Sequence, residues 1–161
     1  MNETGSGISR YPGLLELMLD DGIDIRMHAC GISMFPVIST GDRIIVRPGK
    51  NHAVGDIVIF RRDEELLCHR LEKIFEEEGA RFCQTRGDSF ISPDNAVPVG
   101  LILGKVVKVE RGEMSFARKT LLLLYPVFRF GKMNAFLVSA AVSLRKQRLP
   151  GVLHRKLRLV A

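Results

Sequence analysis

At 161 residues, with 46% apolar and 26% charged side chains, the chain holds enough apolar material for one ordinary core and is neither disordered nor fibrous in composition. Three isolated cysteines, Cys30, Cys68 and Cys83, exclude a disulfide scaffold and paired CxxC zinc or redox motifs. The net charge of +6 conceals a division: up to Glu113 there are 14 Lys and Arg against 18 Asp and Glu, and from Met114 onward 10 Lys and Arg with no acid. A mildly acidic body thus carries a basic, apolar tail, and such asymmetry points to an anionic partner for the tail, a membrane surface or a nucleic acid.

Residues 1–10 are polar and rich in Gly and Ser, carry no basic-then-apolar leader, and read as a frayed terminus. Pro12 opens an apolar stretch, Gly13 to Leu19, that ends at Asp20-Asp21-Gly22; proline at the start and glycine past the end predict one short helix. From Ile23 to about Val109 the texture changes to short apolar runs between turn residues. Ile44–Val46, Ile57–Phe60, Leu66–Ile74, Ala80–Thr85 and Leu101–Val109 read as strands, with turns at Asp63-Glu64-Glu65 and Glu76 to Gly79. Three Gly-Asp pairs punctuate the region, each read as a tight turn in which glycine supplies positive φ. Gly41-Asp42 and Gly55-Asp56 precede apolar runs and are expected to launch strands, whereas Gly87-Asp88 leads into the polar loop Ser89 to Pro98.

The tail holds Leu121–Phe128 and Met133–Leu144, separated by Arg129 and Lys132. A membrane span needs about 20 mostly apolar residues in a row. The cations and Pro126 break this one, so two short helices are expected, the second ending at Arg145-Lys146-Gln147-Arg148, and the helices either pack on the body or lie in a membrane interface. The chain divides accordingly into an N-terminal segment (1–22), a β body (23–113) and a basic tail (114–161).

Four local patterns carry candidate chemistry. Gly31-Ile32-Ser33-Met34-Phe35-Pro36 sets a serine between a flexible glycine and a chain-directing proline, a bend suited to a nucleophile or simply a turn. The two strand-launching Gly-Asp units form the second. In Leu67-Cys68-His69-Arg70-Leu71, strand alternation places His69 on the face of two leucines, where an isolated histidine is more often a satisfied core residue. Thr85 to Asn95 is a turn-rich loop with two carboxylates, Asp88 and Asp94, which alone reads as a solvated loop.

In this order the four patterns resemble the signal peptidase I superfamily, which includes the LexA-like self-cleaving repressors, over about Ile25 to Glu110. The resemblance implies a mainly β fold, a coiled sheet or partly open barrel, and a serine peptidase. Bacterial signal peptidases and LexA-like proteins place a lysine where this chain has His69. Archaeal and endoplasmic-reticulum signal peptidases place a histidine there, followed by arginine as in His69-Arg70. The resemblance thus makes Ser33 the nucleophile and His69 the general base. Asp94 is the favoured orienting acid, and Asp88 the turn residue or second acid. Gly31, Met34 and Pro36 are the candidate oxyanion and substrate-binding residues, with Met34 either packed in the core or lining the cleft beside the serine; Gly31 stands where bacterial enzymes have an oxyanion serine, so backbone N–H groups must serve, Ser33's own first. The superfamily's N-terminal membrane anchor has no counterpart before Ser33.

The chemistry agrees with that assignment. A serine hydroxyl needs a base at neutral pH, and histidine can take its proton and return it to the leaving amine. A carboxylate on the far ring nitrogen fixes the tautomer. No lysine stands between Lys50 and Lys73, so a Ser-Lys dyad has no member at the expected place. His28, His52 and His154 lack metal-ligand spacing and read as incidental, and neither a metal nor a cofactor is expected. The expected partners are a peptide or precursor-protein substrate and an anionic membrane surface for residues 114–161, with no nucleic acid. The expected location is cytoplasmic or peripheral to the membrane. Two alternatives stand beside the enzyme: a non-catalytic peptide-binding module, and a LexA-like regulator, for which the 30-odd residues before the motif leave no room for a helix-turn-helix and which has no Ala-Gly cleavage dipeptide.

Overall fold

The structure, a computed structural model, describes residues 12–63, 65–129 and 158–160. The expected frayed terminus at 1–10, the second tail helix at Met133–Leu144 and His154 lie outside the described residues.

Helix α1 (Pro12–Asp20) buries Leu15 and Leu19, one turn apart, against the sheet. It stops at Gly22, whose φ of 81° lets Gly22 N–H bond Leu19 O and Ile23 N–H bond Met18 O, both at 3.0 Å. That pair of bonds satisfies the last carbonyls of the helix.

The body is an antiparallel sheet of seven strands: β1 (Ile25–Cys30), β2 (Arg43–Pro48), β3 (Ile57–Arg62), β4 (Glu65–Glu77), β5 (Ala80–Arg86), β6 (Val97–Pro98) and β7 (Ile102–Glu110). The five predicted strands are all present; β1 and the two-residue β6 are additional. Gly41 (φ 89°) and Gly55 (φ 103°) launch β2 and β3 as expected. The β4–β5 turn consists of Glu78 and Gly79, both at positive φ (51° and 77°), the geometry whose twist suits a two-residue hairpin.

Neighbours run β3-β7-β2-β1 on one side and β4-β5-β6 on the other, and β3 also pairs with β4. The sheet therefore coils without closing on itself, because β1 and β4 do not pair with each other among the described residues. Into that gap comes an eighth, short strand, β8 (Arg158–Val160), antiparallel to β1 and touching β4 at one position.

Two apolar clusters fill the coil. One joins α1 to β1 and β2 through Leu15, Leu19, Met27, Ile44 and Val46, and includes Cys68; the other gathers Val58, Phe60, Leu67, Leu71 and Cys83. Strand β4 contributes to both, so it is buried on both faces and alternation alone does not separate inside from outside. Its first half pairs with β3 and its second with β5, and the changeover falls at Arg70, directly after His69.

Helix α2 (Phe116–Arg129), which contains Pro126, starts where Ser115 Oγ accepts the Arg118 N–H at 3.3 Å. Arg118 is buried, pairs through its guanidinium with both Asp42 oxygens and donates to Pro36 O at 3.1 Å. The first turn of the basic tail is thereby anchored to the segment that follows Ser33. No helix among the described residues is long and apolar enough to cross a membrane.

Removing one member of a buried ion pair strands the other charge, so Arg118→Met should lower stability by about 3–5 kcal/mol, read from urea unfolding at pH 7. An unchanged midpoint would show that Asp42 is solvated without its partner.

Candidate active site

Ser33 follows β1 by three residues, after Gly31 at φ 111°, a left-handed value that favours glycine. The chain folds back there. Gly31 N–H donates to Thr40 Oγ1 and Gly31 O accepts the same hydroxyl, each at 3.0 Å. The Gly31 N–H is therefore already engaged and is not an oxyanion donor.

Segment 85–94 holds the serine from the other side, and each residue of Gly87-Asp88-Ser89 has a separate task. Ser89 donates its backbone N–H to Ser33 O at 2.9 Å, and its hydroxyl is shared between Ile32 O at 2.6 Å and Ser33 O at 2.8 Å. Asp88 receives a two-pronged ion pair from Arg70, 2.8 and 2.7 Å, and Arg70 also donates to Gly55 O at 2.8 Å. Gly87 supplies room, not positive φ: a Cβ there would stand 2.7 Å from Ser33 O and 2.9 Å from the Phe90 ring. The expected left-handed turn is thus corrected to a close approach of two backbones.

The same loop reaches His69. Asp94 is pinned by its N–H to Thr85 O at 2.7 Å and presents Oδ2 to His69 Nδ1 at 2.6 Å. Thr85 Oγ1 donates to that oxygen at 2.9 Å, and Arg62 lies 3.4 Å from Oδ1. Burial disfavours the charged carboxyl, but the hydrogen bonds from His69 and Thr85 and the charge of Arg62 outweigh it and hold Asp94 below the ordinary aspartate value. An ionised carboxylate only accepts, so Nδ1 presents a proton to it. Nε2 is buried and makes no hydrogen bond. Phe90 meets the imidazole edge-on at 6.0 Å between centroids, and its ring also lies beside Gly87.

Of the sequence-predicted residues, His69 and Asp94 are in direct contact, and Ser33 is held through its carbonyl by the same loop. The Ser33 hydroxyl does not bond Nε2 in this unliganded form; such contacts commonly tighten only when substrate binds. Asp88 is committed to Arg70 and does not meet the imidazole. Met34 is fully buried in the first apolar cluster, and Pro36 offers its carbonyl to Arg118, so these two are placed as core and anchoring residues. Thr85, Ser89, Phe90 and Arg62 have roles that no sequence signal identified; Thr85 and Ser89 flank the Gly-Asp pair, which was the available hint. Tyr125 of α2 lies beside the Arg70–Asp88 pair, and burial together with the Asp88 charge pushes its phenol well above the usual range.

Cys68 faces the opposite side of β4 from His69, and burial pushes its thiol far up, which keeps it unreactive. His28 pairs with Arg43 at an exposed position. Among the described residues no group of three or more His, Cys, Asp and Glu side chains is placed to hold a metal.

A model of the Peptidase S24-like family, the LexA and signal peptidase I-like group, matches residues 7–93, just over half of the chain. The match includes Ser33, His69 and Asp88 and stops one residue short of Asp94. No curated protein matches the chain.

Two consequences can be measured. Gly87→Ala should destabilise by about 1–3 kcal/mol, because backbone on both sides must move to admit one methyl group; a neutral result in urea unfolding would deny the close approach. A carboxyl held below its ordinary value adds stability that is complete above the unfolded value, near 3.8, and disappears as pH falls through the lower folded one. Asp94→Asn should therefore be less stable than the parent at pH 7 by about 1–3 kcal/mol, with the gap closing below pH 4. A gap that persists at pH 2 contradicts an ionised Asp94.

Proposed function

Because the chain belongs to the Peptidase S24-like family, we propose that it is a serine peptidase of signal-peptidase-like chemistry with Ser33 as nucleophile, His69 as general base and Asp94 as orienting acid. The observation that carries this reading is the state of His69. Its Nδ1 is fixed on an ionised carboxylate, and its Nε2 is buried with no partner. An unpaired buried polar atom costs about 1–3 kcal/mol, and an imidazole kept only for packing would gain by satisfying it.

In the reaction, Ser33 Oγ bonds the scissile carbonyl carbon while its proton passes to Nε2. The resulting imidazolium is stabilised by Asp94. The tetrahedral oxyanion is met by backbone N–H groups, of which Ser33's own is nearest the reacting oxygen. As the carbon–nitrogen bond breaks, Nε2 returns the proton to the departing amine. Water, deprotonated by the same nitrogen, then splits the acyl ester and restores Ser33.

The experiment is labelling of the intact chain by a small serine-directed acylating probe. Labelling at Ser33 that vanishes in Ser33→Ala and His69→Ala and falls about 100-fold or more in Asp94→Asn supports the triad. A full absence of labelling favours the non-catalytic peptide-binding module, a reading that the complete burial of both Ser33 and His69 also suits.

The basic tail is proposed to rest on anionic membrane. Each Lys or Arg near such a surface contributes about 1 kcal/mol, so the chain should bind vesicles containing anionic lipid and leave them as salt rises. Equal binding to neutral vesicles contradicts this.

A further inference from the structure

Ser33 and His69 are each 0% exposed, so no peptide from outside reaches them in this state. The strand pairings show what lies beside the strands that carry them. Cys30, three residues before Ser33, is paired with Arg158, and Leu67, two residues before His69, is paired with the same Arg158. One residue of β8 thus bridges the two strands that deliver the nucleophile and the base.

The backbone of β1 is arranged to receive such a strand. Ala29 directs its N–H to Asp42 O and its carbonyl to Gly41 N–H, at 2.8 and 2.9 Å. Backbone groups alternate in direction along a strand, so those of His28 and Cys30 face the opposite way, toward β8. An extended peptide laid between β1 and β4 completes a ladder there, and its affinity comes from main-chain bonds that any sequence can make.

We infer that Arg158–Val160 is a resident strand occupying the peptide lane of the site, and that substrate must displace it to reach Ser33. The inference rests on the peptidase reading for its consequence but not for its geometry. The competent population is the fraction in which the strand has left, and apparent reactivity is lowered by that fraction. Any agent that draws the basic segment away raises reactivity without touching Ser33, His69 or Asp94.

The test uses Arg158→Cys in the full chain. Directly opposed residues of a hydrogen-bonded antiparallel pair have Cα atoms about 5.5 Å apart, within the range a disulfide spans. Mild oxidation should join residue 158 to Cys30, identified by peptide mass mapping, and should reduce labelling of Ser33 by the acylating probe about tenfold or more, with recovery on reduction. Val160→Pro, which removes the ladder donor opposite His28, should label about tenfold faster than the parent. Failure of the bridge to form overturns the placement. A bridged protein that labels like the reduced one, or a Val160→Pro variant that labels like the parent, overturns the occlusion. Should no form label at all, the peptidase reading fails, and the placement is judged by the bridge alone.

Discussion

The two-pronged pairing of Arg70 with Asp88 is the constraint on which the site depends. Arg70 follows His69 in the buried run at the middle of β4, and Asp88 opens the loop that carries Ser89, Phe90 and Asp94. With this pair in place, the loop can reach Ser33 O with one residue and His69 with another. A salt bridge so little exposed returns much of its Coulombic gain to desolvation, so its value lies in fixing geometry more than in raw stability. Tyr125 adds a third group to the same pair and so links α2 to the loop. The catalytic candidates are in this sense positioned by residues outside the proposed triad.

The carboxylates divide their labour by environment. Asp88 faces a guanidinium whose charge is permanent, while Asp94 faces an imidazole whose charge can change during a proton transfer. Thr85 and Arg62 help to keep Asp94 anionic whichever state the ring adopts. In the proposed mechanism the imidazole takes up the proton while the carboxylate beside it stays ionised.

Much of the fold was legible because apolar runs bounded by Gly-Asp and Glu-Gly turns report strands directly. The alternation Ile25-Arg26-Met27-His28-Ala29-Cys30 was also present, but His, Ala and Cys are weak strand formers and the run passed unassigned. Strand β8 was not legible, since three residues have no periodicity and their register is set by β1 and β4. Proximity of His69 to Asp94 came from the ordered motifs, whereas the task of Gly87 did not: glycine before aspartate suggests a turn, and only folding shows a carbonyl where a Cβ would stand. The tail's charge was read as a single block, yet Arg118 is neutralised by Asp42 and helps build the body. Side-chain type announces charge; only packing announces where that charge is used.

The coiled sheet has a further consequence. With β8 in place the strands β3, β7, β2, β1, β8 and β4 follow one another in a ring that returns to β3, and the inner borders of β1 and β4 are both covered. Withdraw those three residues and two rows of bare amide and carbonyl groups face solvent together, the kind of edge along which proteins join one another. The vacancy is therefore self-limiting: an incoming peptide, a returning tail or a neighbouring molecule will mend it, and a sheet of this shape is seldom left open for long.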